Sequence, residues 1–182
     1  MKQAMVDFTR QEDVAEDYLT PMGAIDVLQE HLLWFSSKRV IWEPCDPDGS
    51  SNITKQFRKI GHTVVATGLP GVDFLQQRKP PKGTKCIVTN PPYSLKDEFL
   101  EKCFSFGIPF CLLLPITALE GVRRGAMFRE RGIQVLVLDR RVQFIPGRSV
   151  YFNTSWFCWS PKTTLLKHDL VFAQLPEIRR AA

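Results

Sequence analysis

The sequence predicts a doubly wound α/β fold, and three observations predict it. Short apolar runs rich in branched residues recur near residues 39–43, 62–66, 84–89, 109–114, 134–138 and 154–159, each of the length of one strand. Helical periodicities separate the runs for much of the chain, which is the alternation that builds a sheet covered by helices on both faces. Finally, Pro-Phe-Cys-Leu-Leu-Leu-Pro at 109–115 is continuously apolar and bounded by prolines, as expected of a central strand buried on both sides.

In order, residues 1–16 show no apolar period and read, with 176–182, as flexible ends. Thr20 before Pro21 predicts a helix start, with Ile25, Leu28, Leu32 and Leu33 following at helical spacing. Val40-Ile41-Trp42 is a strand, Glu43-Pro44-Cys45-Asp46-Pro47-Asp48-Gly49 a turn, and Ile53, Phe57 and Ile60 the face of the next helix. Strand, tight turn and helix in that order form the architecture that holds a nucleotide-like ligand at a strand's carboxyl end. Gly61 stops that helix and a second strand runs to Thr67. Asp73-Phe74 follows, then a loop with Arg78, Lys79, Lys82 and Lys85, either solvated or touching phosphate. Only about twenty residues separate the second strand from the one leading to Asn90, too few for a full helix and strand crossover.

Cys86-Ile87-Val88 ends abruptly at Thr89-Asn90-Pro91-Pro92-Tyr93, a buried strand closing in a rigid turn. A helix carrying Phe99, Leu100, Cys103 and Phe104 comes next, and residues 117–131 predict another with Arg123, Arg124, Arg129 and Arg131. After the strand at 134–138, Arg140, Arg141, Phe144 and Arg148 occupy a basic, aromatic segment that leads to the last strong strand. Its alternation puts Trp156 and Cys158 on one face and Phe157 and Trp159 on the other. Leu165-Leu166 and Leu170-Val171-Phe172 predict a small edge element.

Composition narrows the classes. With 182 residues, 44% hydrophobic and 24% charged, the chain reads as one globular domain over 1–182, without a separate target-recognition domain and not as a disordered tail. No apolar run reaches the ~18 to 20 residues of a membrane span, and the polar N-terminus is not a secretion signal. Five scattered cysteines and three scattered histidines lack metal-ligand spacing, so no metal is expected and the thiols suit a cytoplasm. The net charge of +5 favours a polyanionic partner.

The chemistry concentrates at Asn90-Pro91-Pro92-Tyr93. Each prolyl ring fixes φ near −65° and removes an N–H, so the local carbonyls are held in set directions. A planar exocyclic amine offers two hydrogens and a ring. A side-chain oxygen, a fixed carbonyl and an aromatic plate satisfy all three demands.

This tetrapeptide resembles motif IV of the S-adenosylmethionine-dependent methyltransferases that act on exocyclic or amide nitrogens, and the chain is most similar to the solitary phage and prophage DNA adenine enzymes. The resemblance implies that Asn90, Pro91, Pro92 and Tyr93 grip a flipped-out adenine. Tyr18-Leu19-Thr20-Pro21 resembles motif X, which implies Tyr18, Thr20 and Pro21 against the methionine end of the cofactor. The segment 43–49 resembles motif I, where Glu43, Pro44, Cys45 and Gly49 match, but Pro47 stands where a glycine is usual. At the end of the second strand, where the family carries an acid for the ribose hydroxyls, the position is Thr67. Asp73-Phe74 resembles motif III, which implies an acceptor for the cofactor's adenine amine and a ring neighbour. Arg140, Arg141, Phe144 and Arg148 are implied to border the substrate base.

The implied fold is the Rossmann-like class I methyltransferase sheet, mostly parallel with the aromatic C-terminal strand antiparallel. The implied activity is methyl transfer from S-adenosylmethionine to N6 of adenine in DNA, by a cytoplasmic monomer or homodimer of a bacterium or a phage-infected cell. RNA adenine or a protein glutamine amide stay open as substrates. So does a non-catalytic nucleic-acid-binding relative, which Pro47 and Thr67 motivate.

Overall fold

The computed structural model describes residues 19–33, 37–145 and 153–176. Seven strands form one sheet in the order β2-β1-β3-β4-β6-β5-β7. They are β1 (Val40–Glu43), β2 (Thr63–Ala66), β3 (Cys86–Thr89), β4 (Phe110–Pro115), β5 (Gln134–Leu138), β6 (Thr154–Trp159) and β7 (Leu170–Ala173). The helices are α1 (Met22–His31), α2 (Asn52–Lys59), α3 (Lys96–Phe106) and α4 (Val122–Arg131). The fold class read from the sequence is the one observed.

Period-two side-chain alternation builds two cores on the two faces of the sheet. Ile41, Cys86, Val88, Cys111, Leu113 and Trp156 pack under α1 and α2, against Ile25, Leu28, Ile53 and Phe57. Trp42, Ile87, Phe110, Leu112 and Phe157 face the other way, against Phe99, Leu100, Cys103 and Phe104 of α3. Every residue of β3 and β4 is buried, which is why both lack polar alternation.

The aromatic strand β6 is antiparallel to both neighbours, pairing Trp156 with Leu113 of β4 and with Leu136 of β5. It lies between them rather than at an edge, and β7 extends the sheet beyond it, parallel to β5 through Leu136 and Val171. Gln134 fastens that extension. Its Oε1 accepts from the Leu165 and Leu166 N–H groups and its Nε2 donates to the carbonyls of Leu166 and His168.

Between β2 and β3 there is no strand, only a 3-10 turn at Phe74–Gln76, so β2 forms the other edge. Local expectations shift at four helix ends. Thr20 does not cap α1; extended Pro21 holds the N-cap position without a side-chain bond, because its ring sets φ but supplies no acceptor. Leu33 and Ile60 fall past their helices and are exposed, and α4 starts at Val122 rather than 117, after a 3-10 turn at Ile116–Leu119. Tyr18, Arg148 and the terminal segments 1–16 and 177–182 lie outside the described residues.

Candidate active site

The carboxyl ends of β1 and β3 are neighbours in the sheet, so the residues after them meet. Glu43, the last residue of β1, is 1% exposed. Its Oε1 accepts from the Cys45 N–H at 3.0 Å and from the Thr89 hydroxyl at the end of β3. Its Oε2 is buried with no hydrogen-bond partner among the described residues. Burial pushes the carboxyl up to about 8, against the opposing pull of the Thr89 and Cys45 bonds, so Glu43 is protonated at neutral pH.

The turn after β1 is organised by Asp46, a residue that the sequence reading left without a role. Asp46 is buried, accepts from the Ser50 and Ser51 N–H groups through Oδ1, and takes the Thr54 hydroxyl on Oδ2. With Ser51 accepting from the Thr54 N–H, it takes up two of the free donors at the start of α2, Ser51 and Thr54. The signal lay in the spacing of Asp46 from two serines and a threonine, the pattern of an Asx turn feeding a cap. Gly49 adopts φ 73° and supplies the one backbone inversion the turn requires. A Cβ on Gly49 would meet Arg58, so its role here is conformational.

The turn is also fastened sideways to the end of β2. The Asp46 N–H donates to the Thr67 carbonyl at 2.7 Å and the Thr67 N–H to the Glu43 carbonyl at 2.9 Å. The Thr67 hydroxyl accepts from the Trp42 indole at 2.8 Å. It is not among the residues lining the cavity below.

Across the sheet end, Asp73 accepts from the Leu75 N–H at 2.9 Å and thereby caps the 3-10 turn. Phe74 stacks on Phe99 with centroids 4.7 Å apart and tilts against Trp42 at 5.1 Å. At the end of β3, Pro92 opens a 3-10 turn at Tyr93–Leu95 that runs directly into α3. The Tyr93 ring meets Phe144 edge to face at 6.5 Å. Two aromatics predicted separately as base contacts are therefore neighbours.

These elements enclose an open cavity of about 410 Å³. Its wall contains Thr20, Glu43, Cys45, Asp46, Asp48, Asp73, Phe74, Asn90 and Pro92, with Leu19, Leu69, Val72 and Leu95 as apolar parts. Four segments far apart in sequence thus meet in one place. Among the expected site residues that are described, Pro21, Gly49, Thr67, Pro91, Tyr93, Arg140, Arg141 and Phe144 are not part of this wall. Asp46, Asp48, Leu69 and Leu95 are, and the sequence reading did not assign them. Among the described residues, the wall has four carboxyl groups and no lysine, arginine or histidine.

Arg140 pairs with Asp139 at 3.4 Å, half exposed, and Arg141 is exposed on the same segment. The basic loop before β3 lies elsewhere. The Lys85 N–H donates to the carbonyl of Val40, the first residue of β1, so the end of that loop sits at the opposite pole of the sheet from the cavity. Among the described residues, no helix is long and apolar enough to cross a membrane.

No protein-family model matches the sequence, and no curated protein matches it. Solved structures do. A Listeria monocytogenes protein described as a class I S-adenosylmethionine-dependent methyltransferase superposes with a TM-score of 0.59 at 13% identity, over 96% of this chain and 71% of that one. The 23S rRNA methyltransferase ErmE gives 0.54 at 13% identity, over 84% and 73%. A Vibrio vulnificus protein described as a modification subunit of a type I restriction enzyme gives 0.54 at 12%, over 98% of this chain and 51% of its own length. By sheet order, helix placement and these likenesses, the chain has the Rossmann-like fold of the class I methyltransferases.

Proposed function

We propose that this chain is an S-adenosylmethionine-dependent methyltransferase acting on the exocyclic N6 amine of adenine in DNA. One observation carries the reading: Thr20, Glu43, Asp73 and Asn90, each from a different predicted motif, line the same acid-walled cavity. A ligand with phosphates would need cations or free N–H groups at a helix start. Among the described residues the wall offers no cation, and Asp46 already occupies the Ser50 and Ser51 N–H groups ahead of α2. A cationic ligand with an adenine amine suits the wall, and S-adenosylmethionine carries both a sulfonium and an ammonium group.

Bound there, the cofactor would supply an electrophilic methyl group. Asn90 and the Pro91 carbonyl would accept the two N–H bonds of the target amine and turn its lone pair towards that methyl. Tyr93, backed by Phe144, would hold the base by stacking. The chemistry supplied would be transfer of the sulfonium methyl to the amine nitrogen as the sulfur–methyl bond breaks, with the amine's proton lost to water. Positioning supplies most of the gain, up to ~7 to 11 kcal/mol of barrier.

Calorimetric titration with S-adenosylmethionine, beside Asp73→Ala, tests the reading. Saturable binding weakened in the variant supports it, and labelled methyl recovered as N6-methyladenine in DNA completes it. Label recovered only in RNA or in protein replaces the substrate. Absence of both heat and a melting shift at millimolar cofactor refutes the enzyme and favours the non-catalytic relative, which Pro47 in the cofactor turn motivates.

A further inference from the structure

A cofactor with a ribose brings two adjacent hydroxyl groups, and the end of β2, Thr67-Gly68, offers no carboxylate to receive them. The Thr67 hydroxyl is engaged by the Trp42 indole. Residue 68 has no room for a side chain, because a Cβ on Gly68 would lie 2.8 Å from Pro47 Cδ, 3.0 Å from Pro47 N and 3.1 Å from Asp46 N. Pro47 and Gly68 are therefore a matched pair in which the turn after β1 presses on the end of β2. The same contact sets the path of the wall: Gly68 O accepts from the Val72 N–H at 2.8 Å, and Asp73, with an adenine amine as its expected partner, follows directly. Pro47 and Asp48 line the same cavity as Asp73 and Asn90.

The acidic groups of the wall differ in what they have left to offer. Asp46 uses both oxygens internally. Glu43 is buried and neutral. Asp73 belongs to the adenine end. Asp48 is exposed, lines the cavity next to Pro47, and accepts from the Ser50 N–H through Oδ1 at 3.0 Å. The Ser50 hydroxyl and N–H hold its carboxyl below the usual range, so it is ionised wherever the protein is folded near neutrality. An ionised carboxylate accepts two neighbouring hydroxyl groups more strongly than a neutral oxygen does.

We infer that Asp48, on the turn after β1, is the receptor for the vicinal diol of the cofactor's ribose, in place of an acid at the end of β2. The inference rests on the S-adenosylmethionine reading. It makes Asp48 a determinant of ribose over deoxyribose in the bound nucleoside.

Calorimetry with S-adenosylhomocysteine and its 2′,3′-dideoxy analogue tests it on wild type, Asp48→Asn and Thr67→Val. Asn is isosteric and keeps the oxygen that accepts from Ser50, so the turn is retained. The expected result is a loss of about tenfold for S-adenosylhomocysteine in Asp48→Asn, a change of less than about twofold for the dideoxy analogue, and an unaltered diol preference in Thr67→Val. Equal losses on both ligands in Asp48→Asn, no loss on either, or a diol preference that vanishes in Thr67→Val overturns the assignment while leaving the cofactor reading intact. A wild type that binds neither ligand overturns both.

Discussion

Replacing Glu43 by Gln tests how the fold treats the acid beneath its cavity. Burial raises the Glu43 carboxyl from its ordinary 4.5 to about 8. The folded value lies above the unfolded one, so folding takes up a proton between them, and the wild type is relatively most stable below pH 4.5 and loses stability as pH rises towards 8. At about 1.4 kcal/mol per pH unit, the gap corresponds to about 5 kcal/mol across the window. The amide of Glu43→Gln stays neutral at every pH and keeps an oxygen for the Cys45 N–H and the Thr89 hydroxyl. The advantage of Glu43→Gln over wild type should therefore grow by about 1.4 kcal/mol per unit between pH 5 and 8 and level off above. Urea unfolding of both proteins at each pH from 5 to 9 measures it, and His62, Asp48 and Asp139 titrate in both and cancel. A difference that is flat, or that shrinks as pH rises, refutes the argument. The same acid couples to a cationic ligand: near neutral pH a proton should leave Glu43 as S-adenosylmethionine binds, read from binding enthalpies in buffers of different ionisation heat. Glu43→Gln should release none.

Gly68→Ala should destabilise the protein by about 1 to 3 kcal/mol, because its methyl would crowd the Pro47 ring and the Pro47 and Asp46 backbone nitrogens, and Pro47→Gly should remove the part of that cost due to the ring in a double-mutant cycle by chemical denaturation. Tyr93→Ala and Phe144→Ala should each cut methyl transfer to nucleic acid about 10- to 100-fold, the worth of one stacking contact, with S-adenosylmethionine affinity unchanged; a matching loss of cofactor affinity would place Tyr93 in the wrong subsite. Gln134→Leu should cost about 3 to 5 kcal/mol, since four hydrogen bonds to the segment 165–168 are lost, and hydrogen exchange should rise first in β7. Protection of β7 equal to wild type would show that strand pairing alone holds it.

The strand positions were legible because burial on two faces demands apolar residues in short runs, a demand visible without neighbours. Cys86-Ile87-Val88 and the seven residues from 109 to 115 announce β3 and β4 on that ground alone. The Asn90 turn was legible too, since two prolines constrain the backbone locally. The bond from Trp42 to Thr67 was not legible, for the opposite reason. An acceptor at the end of a strand looks free in sequence, and only the pairing of β1 with β2 brings the Trp42 indole to it.

What the sequence determined by itself is the alternation of strands and helices and the order of Thr20, Glu43, Asp73 and Asn90 along it, because period, turn chemistry and side-chain type are properties of short segments. The tertiary structure decided which of them share a wall. It buried Glu43 and so made it neutral, pressed Pro47 onto Gly68, set Tyr93 against Phe144 and slid β6 between β4 and β5. Those outcomes depend on contacts between segments distant along the chain, and their physical cause is the order of strands in the sheet, which sets the desolvation and the neighbours of each side chain.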